Sequence, residues 1–286
     1  MSARSWLYVP GDRPAMLDKA LSRGADAVIV DLEDAVPMAA KSAARDRVAR
    51  WVAGQDPDGD CAIWVRVNPG APGLADARAV VAPALRGVCR AKCEGPDDLL
   101  TLHGVLTERE QEAGVEVGHT RVSPLLESAA AILDAPAIAR APRVVQLQIG
   151  EADLCAELGI EPGDDETELL AIRTRLVLAS AAAGLDPPVG PVCTDYRDQV
   201  SLRRSTERLR RLGYRSRACI HPDQLDVVHD VFTPSAASVE RARRLVARFE
   251  AGLAAGQAVG TDEDGRMIDE AVVRNARRIL AAAGAT

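Results

Sequence analysis

Residues 27–36 read AVIVDLEDAV, an apolar run rich in β-branched side chains that stops on Asp31, Glu33 and Asp34. A short, continuous apolar run describes a strand covered on both faces, as in a parallel sheet, and not the alternation of a half-exposed strand. The same grammar recurs at residues 5–9, 62–67, 87–91, 121–126, 144–149, 189–193 and 216–220, each followed by an Ala-, Arg- and Leu-rich stretch of helical period. Strands alternating with helices make βα units, and eight of them predict an α/β fold closed into a (β/α)8 TIM barrel. The 286 residues accommodate a barrel of about 250 residues plus an appendage.

The appendage is expected at the C-terminal end. Residues 235–255 and 269–283 have helical composition, and residues 256–265 (GQAVGTDEDG) between them read as a turn or short hairpin. The expected organisation is a catalytic barrel over residues 1–232 and a helical extension over 233–286. Because the barrel closes without it, the extension is expected to cap one end or reach a neighbouring subunit. Residues 161–166 (EPGDDE) read as an acidic, solvated loop.

Composition narrows the function classes. A net charge of -7 and an aromatic content of 3% argue against nucleic acid, which calls for a basic stripe or stacking rings. No apolar run approaches the roughly 20 residues of a membrane span, and residues 1–4 lead into a strand with no signal-peptide pattern, so a cytoplasmic location is expected. The six cysteines are scattered, as small buried hydrophobes in a reducing compartment would be. Cys89 and Cys93 lack the second pair that a zinc site requires.

In a parallel barrel the active site lies at the carboxyl ends of the strands. The polar residues there are Asp31, Glu33 and Asp34 after the second strand, Arg66 and Asn68 after the third, Glu127 after the fifth, Glu151 and Asp153 after the sixth, and His221 after the eighth. Several acids around one guanidinium repel one another unless a cation joins them. Oxygen ligands suit Mg2+, which takes one or two carboxylates and completes its shell with water and substrate oxygens. Glu127 and Asp153, from consecutive strand ends, are the candidate pair. Each candidate also has a structural reading. Glu127 and Asp153 can be helix N-caps, Arg66 can pair with a barrel carboxylate, and Asp31, Glu33 and Asp34 can cap the turn that follows them. His221 before Pro222 reads as a helix start. Pro10–Gly11 is either a tight turn or a place where a ligand approaches the backbone.

Beyond spacing, the motifs RSWLYVPGDRPAMLDKAL, ADAVIVDLEDAV, WVRVN, LLESAAAI, IGEADL, LGYRSRACIHPDQ and DGRMID follow in order from residue 4 to about residue 269. In this the chain resembles citrate lyase beta-subunit-like proteins of the HpcH/HpaI aldolase and citrate lyase family, which includes malyl-CoA and citramalyl-CoA lyases. The resemblance implies a (β/α)8 barrel assembled as a trimer or hexamer, Mg2+ held by Glu127 and Asp153, and Arg66 on a substrate carboxylate or enolate oxygen. It also implies that Asp269, in the MID element of the extension, reaches the site of an adjacent subunit as the acid–base group. The implied reaction makes or breaks a carbon–carbon bond in a β-hydroxyacyl-CoA through an acetyl-CoA enolate, with coenzyme A as part of the substrate. Glu33 and Asp34 would orient Arg66 or metal waters. Pro10, Gly11, Arg13, Lys19 and Asn68 would line the substrate and coenzyme A site, Arg13 and Lys19 facing its phosphates.

Two other readings stay open: a metal-dependent pyruvate aldolase acting on free 2-oxo acids, and a citrate lyase subunit active only inside a complex. The chain departs from the family pattern at Ala91-Lys92-Cys93, where P-K-V is usual. It departs again at residues 187–192 (PPVGPV), where relatives carry an aspartate, and at Ala271, where a proline is usual. These changes spare the metal and arginine assignments and leave the substrate's acid portion open.

Overall fold

A computed structural model describes residues 3–256, 259–261 and 265–284. The chain folds as two compact units, one spanning Ala3–His229 and a second beginning at Asp230. In the first, β1 (Ser5–Pro10), β2 (Ala27–Asp31), β3 (Ala62–Val67), β4 (Leu85–Arg90), β5 (Arg121–Leu126), β6 (Gln148–Ile149), β7 (Val189–Gly190) and β8 (Ser216–Cys219) pair in sequence order into a closed barrel. The strands are parallel, and β8 returns to β1. The expected barrel is present. Its helices include α1 (Pro14–Ala20), α2 (Lys41–Ala53), α3 (Gly70–Val80), α4 (Pro96–Ala113), α5 (Ala129–Leu133), α6 (Ala135–Ile138), α7 (Glu151–Leu158), α8 (Leu170–Ala182), α9 (Gln199–Leu212) and α10 (Leu225–Phe232).

The barrel is filled, not hollow. Trp6, Ala27, Ile29, Trp64, Cys89, Val189 and Ala218 form one apolar cluster, and the rings of Trp6 and Trp64 meet at 4.9 Å. Gly87 leaves room for Trp64, since a Cβ there would sit 2.4 Å from its ring. On β3 the period of two carries the inward face from Trp64 to Arg66, so a charged side chain follows an indole toward the rim.

The strands differ from expectation where backbone donors are diverted. Pro191 has no N–H, so β7 ends at Gly190 and not at residue 193. β8 stops at Cys219 because the Ile220 and His221 amides donate to the Gln224 side chain. In the sixth strand, regular pairing covers Gln148–Ile149 alone, with an isolated bridge from Val144 to Val122. The 161–166 loop is not wholly solvated: Glu166 accepts from Arg173 at 2.7 Å and from Ser205 at 2.8 Å. All six cysteines are free, with Cys89, Cys93 and Cys219 buried.

The second unit holds α11 (Ala236–Ala254) and α12 (Glu270–Ala282), packed through Ala242, Ala276 and Leu280. Ser235 and Asp269 cap their N-termini by accepting from the amides three residues on. Between them β9 (Gly260–Thr261) pairs antiparallel with β10 (Met267–Ile268). The rest of the expected 256–265 turn, residues 257–258 and 262–264, lies outside the described residues. Among the described residues no helix is long and apolar enough to cross a membrane.

Candidate active site

The carboxyl ends of the barrel strands surround a cavity of about 490 Å3 in the first unit. Its charged rim is built by register. Asp31 ends β2 directly opposite Arg66 on β3, and the pair is bidentate: Arg66 Nε donates to Oδ1 at 2.7 Å and Nη2 to Oδ2 at 2.6 Å. Two parallel bonds of this kind fix the guanidinium plane. Asp31 also accepts from the Glu33 and Ala35 amides, so it caps the turn after β2 while holding Arg66. The guanidinium lies over the Tyr8 ring at 5.0 Å, an attraction between cation and ring face. Its Nη1 is 3.1 Å from Glu33 and 3.8 Å from Asp34.

Lys92, two residues past the end of β4, ties this group to the next. Its Nζ donates to Glu33 Oε1 at 2.6 Å, and its backbone amide donates to Glu127 Oε1 at 2.6 Å. The residue holds a left-handed φ of 48°, an uncommon conformation for a side chain other than glycine. Burial pushes the Glu33 carboxyl up despite Lys92 and Arg66. Burial opposes ionisation of Asp34 as well, but the Glu33 hydrogen bond, Arg66 and Lys92 outweigh it and hold Asp34 below the usual carboxylate range.

Glu127 follows β5, and Gly150 opens the way to it: a Cβ on Gly150 would fall 2.6 Å from Glu127 Cβ and Oε2. Gly150 precedes α7, whose first turn carries Glu151 and Asp153. Five acids line the cavity: Asp31, Asp34, Glu127, Glu151 and Asp153. Arg66 takes Asp31, Arg66 and Lys92 share Asp34, and Arg173 grips both oxygens of Glu151 at 2.6 and 2.7 Å. Among the described residues no arginine or lysine forms an ion pair with Glu127 or Asp153. Burial and the adjoining Asp153 push Glu127 up to about 7, against the Lys92 amide. A buried carboxylate beside a second, exposed one, with no arginine or lysine between them, fits a cation. Among the described residues no third metal-ligating side chain joins them, which suits Mg2+ completing its shell with water and substrate oxygens.

Of the other expected site residues, one borders the cavity and the rest fall elsewhere. Pro10 lines the cavity. Gly11 is a packing glycine: its amide donates to the Asp31 carbonyl, and a Cβ would crowd that carbonyl at 2.8 Å. Asn68 is buried behind the rim, donating from Nδ2 to Asp76 at 2.6 Å and to the Leu32 carbonyl at 2.9 Å. Arg13 and Lys19 are exposed on and before α1 and do not line the cavity. His221 takes its structural role, accepting from the Asp223 amide in a capping box with Gln224. Asp269 caps α12 in the second unit. Sequence reasoning passed over three contributors to the site: Lys92, Gly150 and the Gln148 side chain, which lines the cavity and donates to Ser123 and Cys89. A lysine two residues past a strand end was the available signal for the first.

A closed parallel barrel with guanidinium-held acids and, among the described residues, a carboxylate pair without an arginine or lysine partner at its carboxyl rim has the architecture of a (β/α)8-barrel enzyme. The chain belongs to the HpcH/HpaI aldolase/citrate lyase family, whose profile matches residues 4–222. It is 31% identical to the citrate lyase subunit beta of Leuconostoc mesenteroides subsp. cremoris over 99% of this chain and 93% of the relative. A (3S)-malyl-CoA thioesterase of Cereibacter sphaeroides is 33% identical over 99% of this chain and 95% of the relative. Among solved structures, the protein CitE of Mycobacterium tuberculosis in complex with magnesium, acetoacetate and coenzyme A superposes with a TM-score of 0.79 at 29% identity, covering 99% of both chains.

Proposed function

We propose that the chain is a Mg2+-dependent carbon–carbon lyase acting on a β-hydroxyacyl-CoA thioester of the malyl, citramalyl or citryl type. The observation that carries the reading is the Glu127–Asp153 pair, the cavity acids left without an arginine or lysine partner among the described residues, in one cavity with a guanidinium held rigid by Asp31. The magnesium and coenzyme A complexes of the Mycobacterium tuberculosis relative support the same assignment.

Cleavage requires loss of the substrate hydroxyl proton, polarisation of the carbonyl that forms, and stabilisation of the departing enolate. Bound Mg2+ supplies Lewis acidity toward the hydroxyl and the new carbonyl. Glu127 and Asp153 would hold it. Arg66, already oriented before substrate arrives, faces the negative charge as it develops, a preorganised stabiliser of the oxyanion-hole kind. Glu33 and Asp34 orient Arg66, and Lys92 anchors Glu33. Asp269 of a neighbouring copy is assigned proton transfer at the thioester methyl carbon, and mixed oligomers of two inactive variants regaining turnover would support that assignment. Arg13 and Lys19 remain candidates for the coenzyme A phosphates, in a trimeric or hexameric assembly.

The deciding experiment incubates the purified chain with malyl-, citramalyl- and citryl-CoA, with and without Mg2+, and measures both the carbonyl acid and acetyl-CoA. Release of both, lost on chelation, is the expected result. Free coenzyme A with an intact hydroxy acid would point instead to thioester hydrolysis, the activity for which the Cereibacter relative is named. No turnover by the chain alone would favour a subunit that works only within a complex.

A further inference from the structure

The cavity is uneven in charge. Arg66 is the one arginine or lysine among its lining residues, against five acids. That guanidinium is bidentate to Asp31 and 3.1 Å from Glu33, and the proposed reaction assigns it to the enolate oxygen, so it is not spare for a second substrate carboxylate. Lys92 nearby is committed to Glu33 and Asp34, and Arg173 to Glu151 and Glu166. A divalent cation at Glu127 and Asp153 balances those two acids and leaves the acids of the β2–β4 rim in excess over their cations. The lining contributed by β7, β8 and the residues that follow them is apolar, with Val192, Ala218 and Ile220, and Leu125 and Ile149 add to it next to the acids of the β5 and β6 ends.

From this distribution we infer that the carbonyl acid formed or consumed in the cavity is a monocarboxylate with a short apolar substituent, of the pyruvate type, and that a dicarboxylate such as oxaloacetate is rejected. One carboxylate would be held as a ligand of the cation at Glu127 and Asp153. A second would lie against Leu125, Val192 or Ile220, or beside acids already in excess, with no uncommitted cation among the described lining residues to meet it, and an uncompensated charge in a partly dry site is strongly disfavoured. Structures of the Mycobacterium tuberculosis relative hold oxaloacetate in one case and pyruvate in another, so likeness does not separate the two. The inference rests on the proposed lyase reading and adds the identity of the acid portion.

Calorimetric titration of the whole chain in the presence of Mg2+ compares pyruvate with freshly dissolved oxaloacetate. Pyruvate is expected to bind at least about 100-fold more tightly. Equal affinities, tighter oxaloacetate, or binding of neither overturns the inference. Citramalyl-CoA and citryl-CoA, followed by pyruvate and oxaloacetate release, should differ by a similar ratio in kcat/KM. Equal turnover of both thioesters leaves the lyase reading standing and sinks the inference. Selective pyruvate binding without turnover of any thioester does the reverse. Ile220→Arg, at a cavity position 39% exposed, adds the missing cation and should move the affinity ratio toward oxaloacetate by about tenfold; an unmoved ratio counts against the inference.

Discussion

Two buried glutamates in this barrel have opposite surroundings. Glu110 on α4 accepts from the Gly118 and Thr120 amides and from both terminal nitrogens of Arg143, every bond at 2.8 Å. Glu127 accepts from one amide and otherwise faces Asp153 and a cavity. Burial opposes ionisation of both. Arg143 and the two amides outweigh it at Glu110 and hold that carboxyl low, whereas Asp153 adds to it at Glu127, which rises to about 7. A carboxylate whose lone pairs are filled by the fold serves the fold; one left short of donors in a cavity is available to a ligand.

The contrast is sharpest in turnover. Glu127→Ala or Asp153→Ala should abolish Mg2+-dependent cleavage, by more than about 10^3-fold, with Mg2+ affinity lost in calorimetry and thermal stability without metal preserved. Full activity in either variant would break the comparison. Glu110→Ala should do the opposite, costing about 3–5 kcal/mol of unfolding free energy by leaving Arg143 buried and unpaired, read from urea denaturation. Arg66→Met, which removes the guanidinium but keeps a long side chain, should lower kcat by about 10^2 to 10^3 and raise KM less.

Acidity separates the two glutamates by sign. The Glu127 pKa is raised in the fold, from 4.5 to about 7, so its contribution to metal-free stability is complete below 4.5 and is lost as pH rises through about 7. The Glu110 pKa is lowered, so its contribution is present above the ordinary carboxylate value and is lost as pH falls through the depressed one. Mg2+ held by Glu127 as proposed would have to displace its proton, so Mg2+ affinity should weaken by up to about tenfold per unit as pH drops below about 7. Glu127→Gln should flatten the metal-free stability profile between 4.5 and 7; an unchanged slope would assign that titration elsewhere. The smallest effect belongs to Lys92→Met. It deletes the half-exposed ammonium but keeps the amide on Glu127, so kcat should fall by only about fivefold with Mg2+ affinity retained.

How far the site was legible in the sequence follows from what each residue depends on. Asp31, Glu33, Glu127 and Asp153 stand out because apolar runs end on them, a purely local signal. Arg66 and Arg90 both sit near strand ends, yet Arg66 joins the cavity while Arg90 turns away to Asp98 and the Asn68 carbonyl. One residue of phase decides this, and phase is set by the neighbouring strand. Asn68, two residues past Arg66 and expected at the substrate, is spent instead on Asp76 and Leu32. Glu166, in a loop that reads as solvated, is drawn in by Arg173 and Ser205.

The order of apolar runs and helical stretches, read along the chain, was enough to specify eight βα units, a helical extension and the acids at the strand ends. These are consequences of side-chain period and of where water-avoiding segments stop. Which of those acids acquire a cationic partner, and which are left facing each other, was decided only when β2 through β6 closed side by side. Ion pairing acts over a few ångströms in space, and residues 31 and 66, or 127 and 153, become neighbours only through the sheet.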